Sequence, residues 1–135
     1  MSLYYAHLIY RRPREDFQIL KVYHPSNIPG KSVIVIMIDM DPNAATPPHT
    51  HGGAAAIAIV VDGTTLNQMN DDEPIISKKG DMWYEAPGCH HVRSENVSGS
   101  ERAKFFAVLI VDDETVKDGF HNIVVLDAEK EENTV

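Results

Sequence analysis

Almost the whole chain reads as short aliphatic and aromatic runs separated by turn-forming residues, and no stretch carries a sustained helical period with caps. Ser32 to Met40 (SVIVIMIDM) is dense in β-branched residues and follows a Pro29-Gly30 turn, the pattern of a buried strand. Leu3 to Tyr10, Phe17 to Tyr23, Ala54 to Val61, Asp81 to Glu85, His91 to Val97, Ala103 to Val111 and Ile123 to Leu126 read the same way. Asp62-Gly63 is a hairpin-type dipeptide, so Thr64 to Met69 is expected to return beside Ala54 to Val61, with Asn70 to Pro74 as a polar turn. Val116 to Asn122 fits neither helix nor strand. Many short strands with turns between them predict an all-β sandwich or closed barrel, closure having the advantage of hiding sheet edges. At 135 residues the chain fits one domain, large enough to bury roughly two thirds of its unfolded surface. The domain is expected over residues 1–126, with 127–135 as an acidic tail.

The formal net charge of −8 argues against a nucleic-acid partner, because such binding needs clustered cations to displace counterions. The one basic cluster, Arg11, Arg12 and Arg14, is broken by Pro13 and followed by Glu15 and Asp16. The apolar run Ala54 to Val61 is too short to span a bilayer, and no basic segment precedes an apolar one at the N-terminus, so a cytoplasmic protein without a membrane partner is expected. Cys89 is the single cysteine, which precludes an intrachain disulfide.

Seven histidines are present, at 7, 24, 49, 51, 90, 91 and 121. On a strand, His49 and His51 at i and i+2 point to the same face, where two imidazoles can share a divalent ion. Pro47-Pro48 before them and Gly52-Gly53 after them mark a rigid entry and a turn. A third ligand has to come from a distant strand. His90 and His91 open a β-like run after Pro87-Gly88, and only one of them can face inward.

The stretch PHTHGGAAAIAIVVDG, Pro48 to Gly63, resembles the first motif of the cupins, and GDMWYEAPGCHHVRSEN, Gly80 to Asn96, resembles the second. The resemblance implies an RmlC-like jelly-roll barrel, the double-stranded β-helix. It implies a metal site of His49, His51 and His91, the last matching the histidine three residues after the motif glycine, Gly88. The asparagine of the second motif corresponds to Asn96, displaced by one position. The glutamate of the first motif falls on Ala55, and neither Ala54 nor Ala56 replaces it. A three-histidine set without a carboxylate resembles the cupin-type dioxygenases that act on cysteine and on β-diketones.

By alternation from His91, Arg93 and Glu95 are expected to face inward, with Arg93 orienting an anionic substrate. Counted from Ala55, the pocket wall is expected to hold Ala55, Ile57 and Ile59, joined by Gln68 and Met69 from the neighbouring run. Trp83, Tyr84 and Glu85 lead into the second motif, and Tyr84 and Glu85 are candidate proton donors or bases. Cys89 reads as a small buried residue.

Three functions fit. The first is a metal-dependent enzyme acting on a small oxygenated organic molecule, by dioxygenase chemistry on Fe or by isomerase or lyase chemistry on Zn, Ni or Mn. The second is a non-catalytic cupin that binds a small ligand or metal, which the missing glutamate favours. The third, a metal-free epimerase of the same barrel, sits poorly with retention of all three histidines. The run Leu3 to Tyr10, with Tyr4, Tyr5 and Tyr10, is expected to add to a neighbour's sheet and make a homodimer.

Overall fold

The computed structural model describes residues 8–129. Its strands are β1 (Asp16–Tyr23), β2 (Lys31–Met40), β3 (Ala45–Thr46), β4 (His49–Thr50), β5 (Ala55–Asp62) and β6 (Thr64–Met69), then β7 (Ile75–Lys78), β8 (Met82–Glu85), β9 (His91–Asn96), β10 (Ala103–Asp112) and β11 (Val125–Leu126). One turn of helix, α1 (Asp113–Val116), follows β10. Two antiparallel sheets face each other, ordered β1-β2-β10-β5-β8 and β11-β4-β9-β6-β7, with β3 pairing β9. This is the jelly-roll barrel expected of the sequence.

The inner face of the five-stranded sheet is apolar. Ile34, Ile36 and Ile38 of β2, Ala56, Ala58 and Val60 of β5, and Phe105, Ala107 and Leu109 of β10 are all buried there. The inner face of the second sheet is polar: Thr46, His49, Thr65, Asn67, Ser77, His91, Ser94 and Asn96 are buried on it. Buried polar groups need partners: His91, Asn67 and Thr65 are linked in series, and His49 and Asn96 bind backbone carbonyls.

The Asp62-Gly63 turn does not close a hairpin. β5 pairs with β10 and β8, whereas β6 pairs with β7 and β9. The chain crosses between sheets at Gly63, whose φ of +73° suits glycine and whose absent side chain lets the backbone reach the Arg102 carbonyl; a Cβ there would lie 2.4 Å from that oxygen. The true hairpin is β6–β7, closed over Asn70 to Pro74. The segment expected as an N-terminal strand lies outside the described residues at 3–7, Tyr4 and Tyr5 with it, and residues 8–9 belong to a helical turn. Its backbone is satisfied locally, the Arg11 and Arg12 amides donating to Leu8 and Ile9 carbonyls. Residues 127–129 are helical. No described helix is long and apolar enough to cross a membrane.

Candidate metal centre

His49 on β4 stands directly across from His91 on β9. His51 follows β4 and is carried to the same place, so that one ligand atom from each of the three lies within 4.8 Å of the other two. His49 and His91 are each 3% exposed. What aims them is the partner of each opposite ring nitrogen. His49 Nδ1 donates to the Pro47 carbonyl at 2.7 Å, and His51 Nδ1 donates to the Ile123 carbonyl at 2.8 Å. His91 Nε2 donates to Asn67 Oδ1 at 2.9 Å, and Asn67 is itself oriented by donating through Nδ2 to Thr65 Oγ1. These bonds fix tautomers and ring orientations, as outer partners of metal-binding histidines do. They leave His49 Nε2, His51 Nε2 and His91 Nδ1 facing the centre.

Glu85, at the end of β8, enters from the opposite sheet. Its Oε1 lies 3.0 Å from His51 Nε2 and 3.1 Å from His91 Nδ1, and Trp83 Nε1 donates to Oε2 at 3.2 Å. Burial would raise the Glu85 pKa, but the approach of His51 and His91 outweighs it and holds the carboxyl well below its ordinary range. Burial would also lower the His51 pKa, and the bond to Glu85 outweighs that and raises it. His49 is pushed well below its ordinary value by burial and by its two imidazole neighbours, so it presents a lone pair at neutral pH. His91 Nδ1 is buried with no hydrogen-bond partner, being off line from the Glu85 oxygen beside it. At 3.1 Å from the Glu85 oxygen, this nitrogen is satisfied either by its own proton or by a cation shared with the carboxylate. The three nitrogens therefore fit a divalent ion in donor type and direction.

The histidines line a cavity of about 50 Å³ together with Ile36, Ile38, Ala56, Ala58, Phe105, Ala107 and Leu109. Outside it lies a larger groove of about 410 Å³ that includes Arg14, Phe120 and His121 and shares Glu15, Phe17 and Val124 with the cavity. Those three residues stand between the two.

Several expected wall positions face the other way. On β5 the inward residues are Ala56 and Ala58, while Ile57 and Ile59 are 40% and 37% exposed and Ala55 is half-buried outside the cavity. Alternation counted from the histidines does not survive Gly52 and Gly53, both at positive φ. On β9 the parity changes again. Gln68 and Met69 are consecutive on β6 but pair with Arg93 and His91, so Val92 is an extra residue. A bulge of this kind inverts the faces beyond it, and Ser94 rather than Arg93 or Glu95 lines the cavity. Arg93 is bound to Glu95, Nε to Oε2 at 2.6 Å, and Arg12 closes the other side, Nη1 to Glu95 Oε1 at 2.6 Å. Gln68 points outward and donates to the Asp72 carbonyl. Tyr84 is 60% exposed, so of the catalytic candidates Tyr84, Glu85 and Arg93, only Glu85 reaches the centre. Asn96 anchors backbone instead of the site, donating to the Met40, Asp41 and Glu101 carbonyls. His90 pairs with Asp127, and Cys89 is buried with its thiol pushed up to about 11, first by burial.

Sequence reasoning passed over Asn67, Ser94 and the Ile123 carbonyl. Asn67 did carry a signal: it is a polar residue at an inward position between Thr65 and Met69 on a strand beside the second motif.

Fold and site together define a jelly-roll barrel with an inward three-histidine centre. A cupin domain model matches residues 36–115, more than half of the chain, and the chain belongs to the cupin family. No curated protein matches it. Among solved structures it is similar to the Schizosaccharomyces pombe Cnp3 cupin domain, with a TM-score of 0.62 and 16% identity over 78% of this chain and 68% of that one. It is similar to KdgF from Halomonas sp., with a TM-score of 0.57 and 14% identity over 71% and 77%. It is also similar to an oxalate oxidase in complex with the substrate analogue glycolate, at a TM-score of 0.61 and 18% identity over 84% of this chain and 55% of that one. At these identities the likeness is one of fold, and the chain spans about half the length of the oxalate oxidase.

Proposed function

We propose that this cupin is a metal-dependent enzyme acting on a small oxygenated organic molecule, with His49, His51 and His91 holding the ion. The observation that carries the reading is the arrangement of three imidazoles whose opposite nitrogens are all tied off, so that the three remaining nitrogens converge at the inner end of a small cavity. When bound there, a divalent ion, Fe, Zn, Ni or Mn, supplies either oxygen-dependent oxidation or Lewis-acid polarisation of a carbonyl.

The chain's own residues supply the remainder. The alanines and Phe105 exclude water and limit what enters. A cavity of about 50 Å³ holds only a few atoms, since one water already needs roughly 10–15 Å³. The reacting end of the substrate is therefore small, and any larger portion lies in the outer groove, where Arg14 is already paired with Glu15. Thr46 and Ser94 offer hydroxyls inside the cavity to orient an oxygen of the substrate. Glycolate bound to a similarly folded oxalate oxidase supports this class of ligand.

The test is metal analysis of protein purified without chelator, followed by turnover and oxygen uptake with a panel of small hydroxy, oxo and enolic acids. One equivalent of iron with oxygen uptake selects the dioxygenase branch. Another metal and turnover without oxygen selects isomerase or lyase chemistry. Metal binding with no turnover across the panel favours the second reading, a non-catalytic binding cupin, to which the tight cavity lends some weight.

We also propose a homodimer. The outer face of the five-stranded sheet is apolar across several strands, with Ile57 opposite Tyr84, Ile59 opposite Met82, and Phe106 and Val108 alongside, and a sheet of that composition packs against its own two-fold copy. A monomeric mass by light scattering at micromolar concentration would overturn this.

A further inference from the structure

We propose that Glu85 is a fourth metal ligand, supplying from β8 the carboxylate that the first motif lacks on β5; the inference rests on the metal reading above. Ala56 is the inward residue where the motif strand passes the centre, and its cross-strand partner is Glu85. The carboxylate stands one strand to the side and approaches His51 and His91 from there.

Three observations separate a ligand from a supporting group. A supporting carboxylate binds the ring nitrogen turned away from the metal. Here those nitrogens already have partners, the Ile123 carbonyl and Asn67 Oδ1. Glu85 instead addresses His51 Nε2 and His91 Nδ1, the nitrogens that face the centre. Second, its separations of 3.0 and 3.1 Å from them match the roughly 3 Å between neighbouring ligands set at right angles, each about 2.1 Å from one ion. Third, His91 Nδ1 is buried with no hydrogen-bond partner and stands 3.1 Å from the Glu85 oxygen, a place that a cation shared by the two would fill.

The consequences are chemical. An anionic ligand lowers the net charge of the centre and leaves fewer positions open to substrate. It also adds a hard oxygen donor, which favours manganese or ferrous iron over softer ions. Trp83, the single tryptophan, donates to the other oxygen of Glu85, so metal binding is reported by its fluorescence.

The test titrates cobalt(II) into metal-free wild type and Glu85→Gln, reading affinity, visible d–d bands and Trp83 emission. A ligand role predicts affinity lower by roughly 100-fold or more in the variant, beyond the loss of an outer partner. It also predicts displaced bands and loss of the emission response. Equal bands and an affinity within about threefold would overturn the fourth ligand while leaving the three-histidine centre intact. No cobalt in wild type would overturn both. Should the variant not fold, the infrared difference spectrum of wild type with and without cobalt decides: a shifted carboxylate stretch supports the proposal, and none refutes it.

Discussion

Glu85 and Glu95 are the buried glutamates among the described residues, and their surroundings are opposite. Glu95 is enclosed by the guanidiniums of Arg12 and Arg93, cations that never lose their charge and hold a carboxylate through fixed planar geometry. Glu85 has, among the described residues, ion-pair contacts to His51 and His91, groups that change protonation and can give up a proton to a metal. The first carboxylate is neutralised from within the protein and serves to tie the N-terminal segment to β9. The second is left with partners that can be displaced. Burial of charge is equally costly at both, so the difference marks which of the two is meant to receive something from outside.

The comparison can be broken most severely by metal addition. At about a thousand times its dissociation constant, a bound ion stabilises the fold by about 4 kcal/mol, a rise in Tm of roughly 10 °C or more. Differential scanning calorimetry should show this in wild type and in Glu95→Gln but not in His91→Ala. An equal rise in His91→Ala would place the ion elsewhere.

Next in size is the stability of the metal-free protein. Glu95→Gln leaves two guanidiniums short of a counter-charge. The arginines are about one third exposed, which reduces the usual cost of a broken buried pair to about 2 kcal/mol. Glu85→Gln should cost less in the metal-free state, because its imidazole partners can turn neutral. Urea melts that rank the two variants the other way would remove the distinction drawn here.

Asn67→Ala removes the acceptor that fixes His91, and a loss of about 10- to 100-fold in metal affinity is expected with no ligand altered; isothermal titration would reveal it. Gly52→Ala acts at a similar remove. Gly52 has a φ of +63°, and a Cβ would lie 2.2 Å from the Asn122 carbonyl, next to the residue that accepts from His51. A stability loss of about 1–2 kcal/mol or more, read by thermal melting, should accompany weaker metal binding.

The smallest effect concerns Cys89. Its thiol is pushed up to about 11 by burial first and then by the negative charges of Glu85 and Asp72. Alkylation of the metal-free protein should be slow at neutral pH and rise as pH approaches 11, because only the thiolate reacts. Glu85→Gln should speed the reaction modestly and Glu95→Gln should not.

Much of this was legible in the chain. Period-two alternation and β-branched runs mark β1, β2, β5, β6, β9 and β10 nearly to their ends, because these are local patterns, and the resemblance to the two cupin motifs marks His49, His51 and His91. The two-residue strands β3 and β4 are too short to carry a pattern, and β7 is hidden by polar neighbours. Which side chains meet is another matter. The extra residue at Val92 and the glycines after His51 change strand parity, turning Ile57, Ile59 and Arg93 away from the cavity and Ala56, Ala58 and Ser94 toward it. The sequence alone determined a jelly roll with three converging histidines. Only the tertiary structure decided that Glu85 stands across from Ala56 and Glu95 between two arginines. Cross-strand register joins residues far apart in the chain, and a single inserted residue reverses every face beyond it.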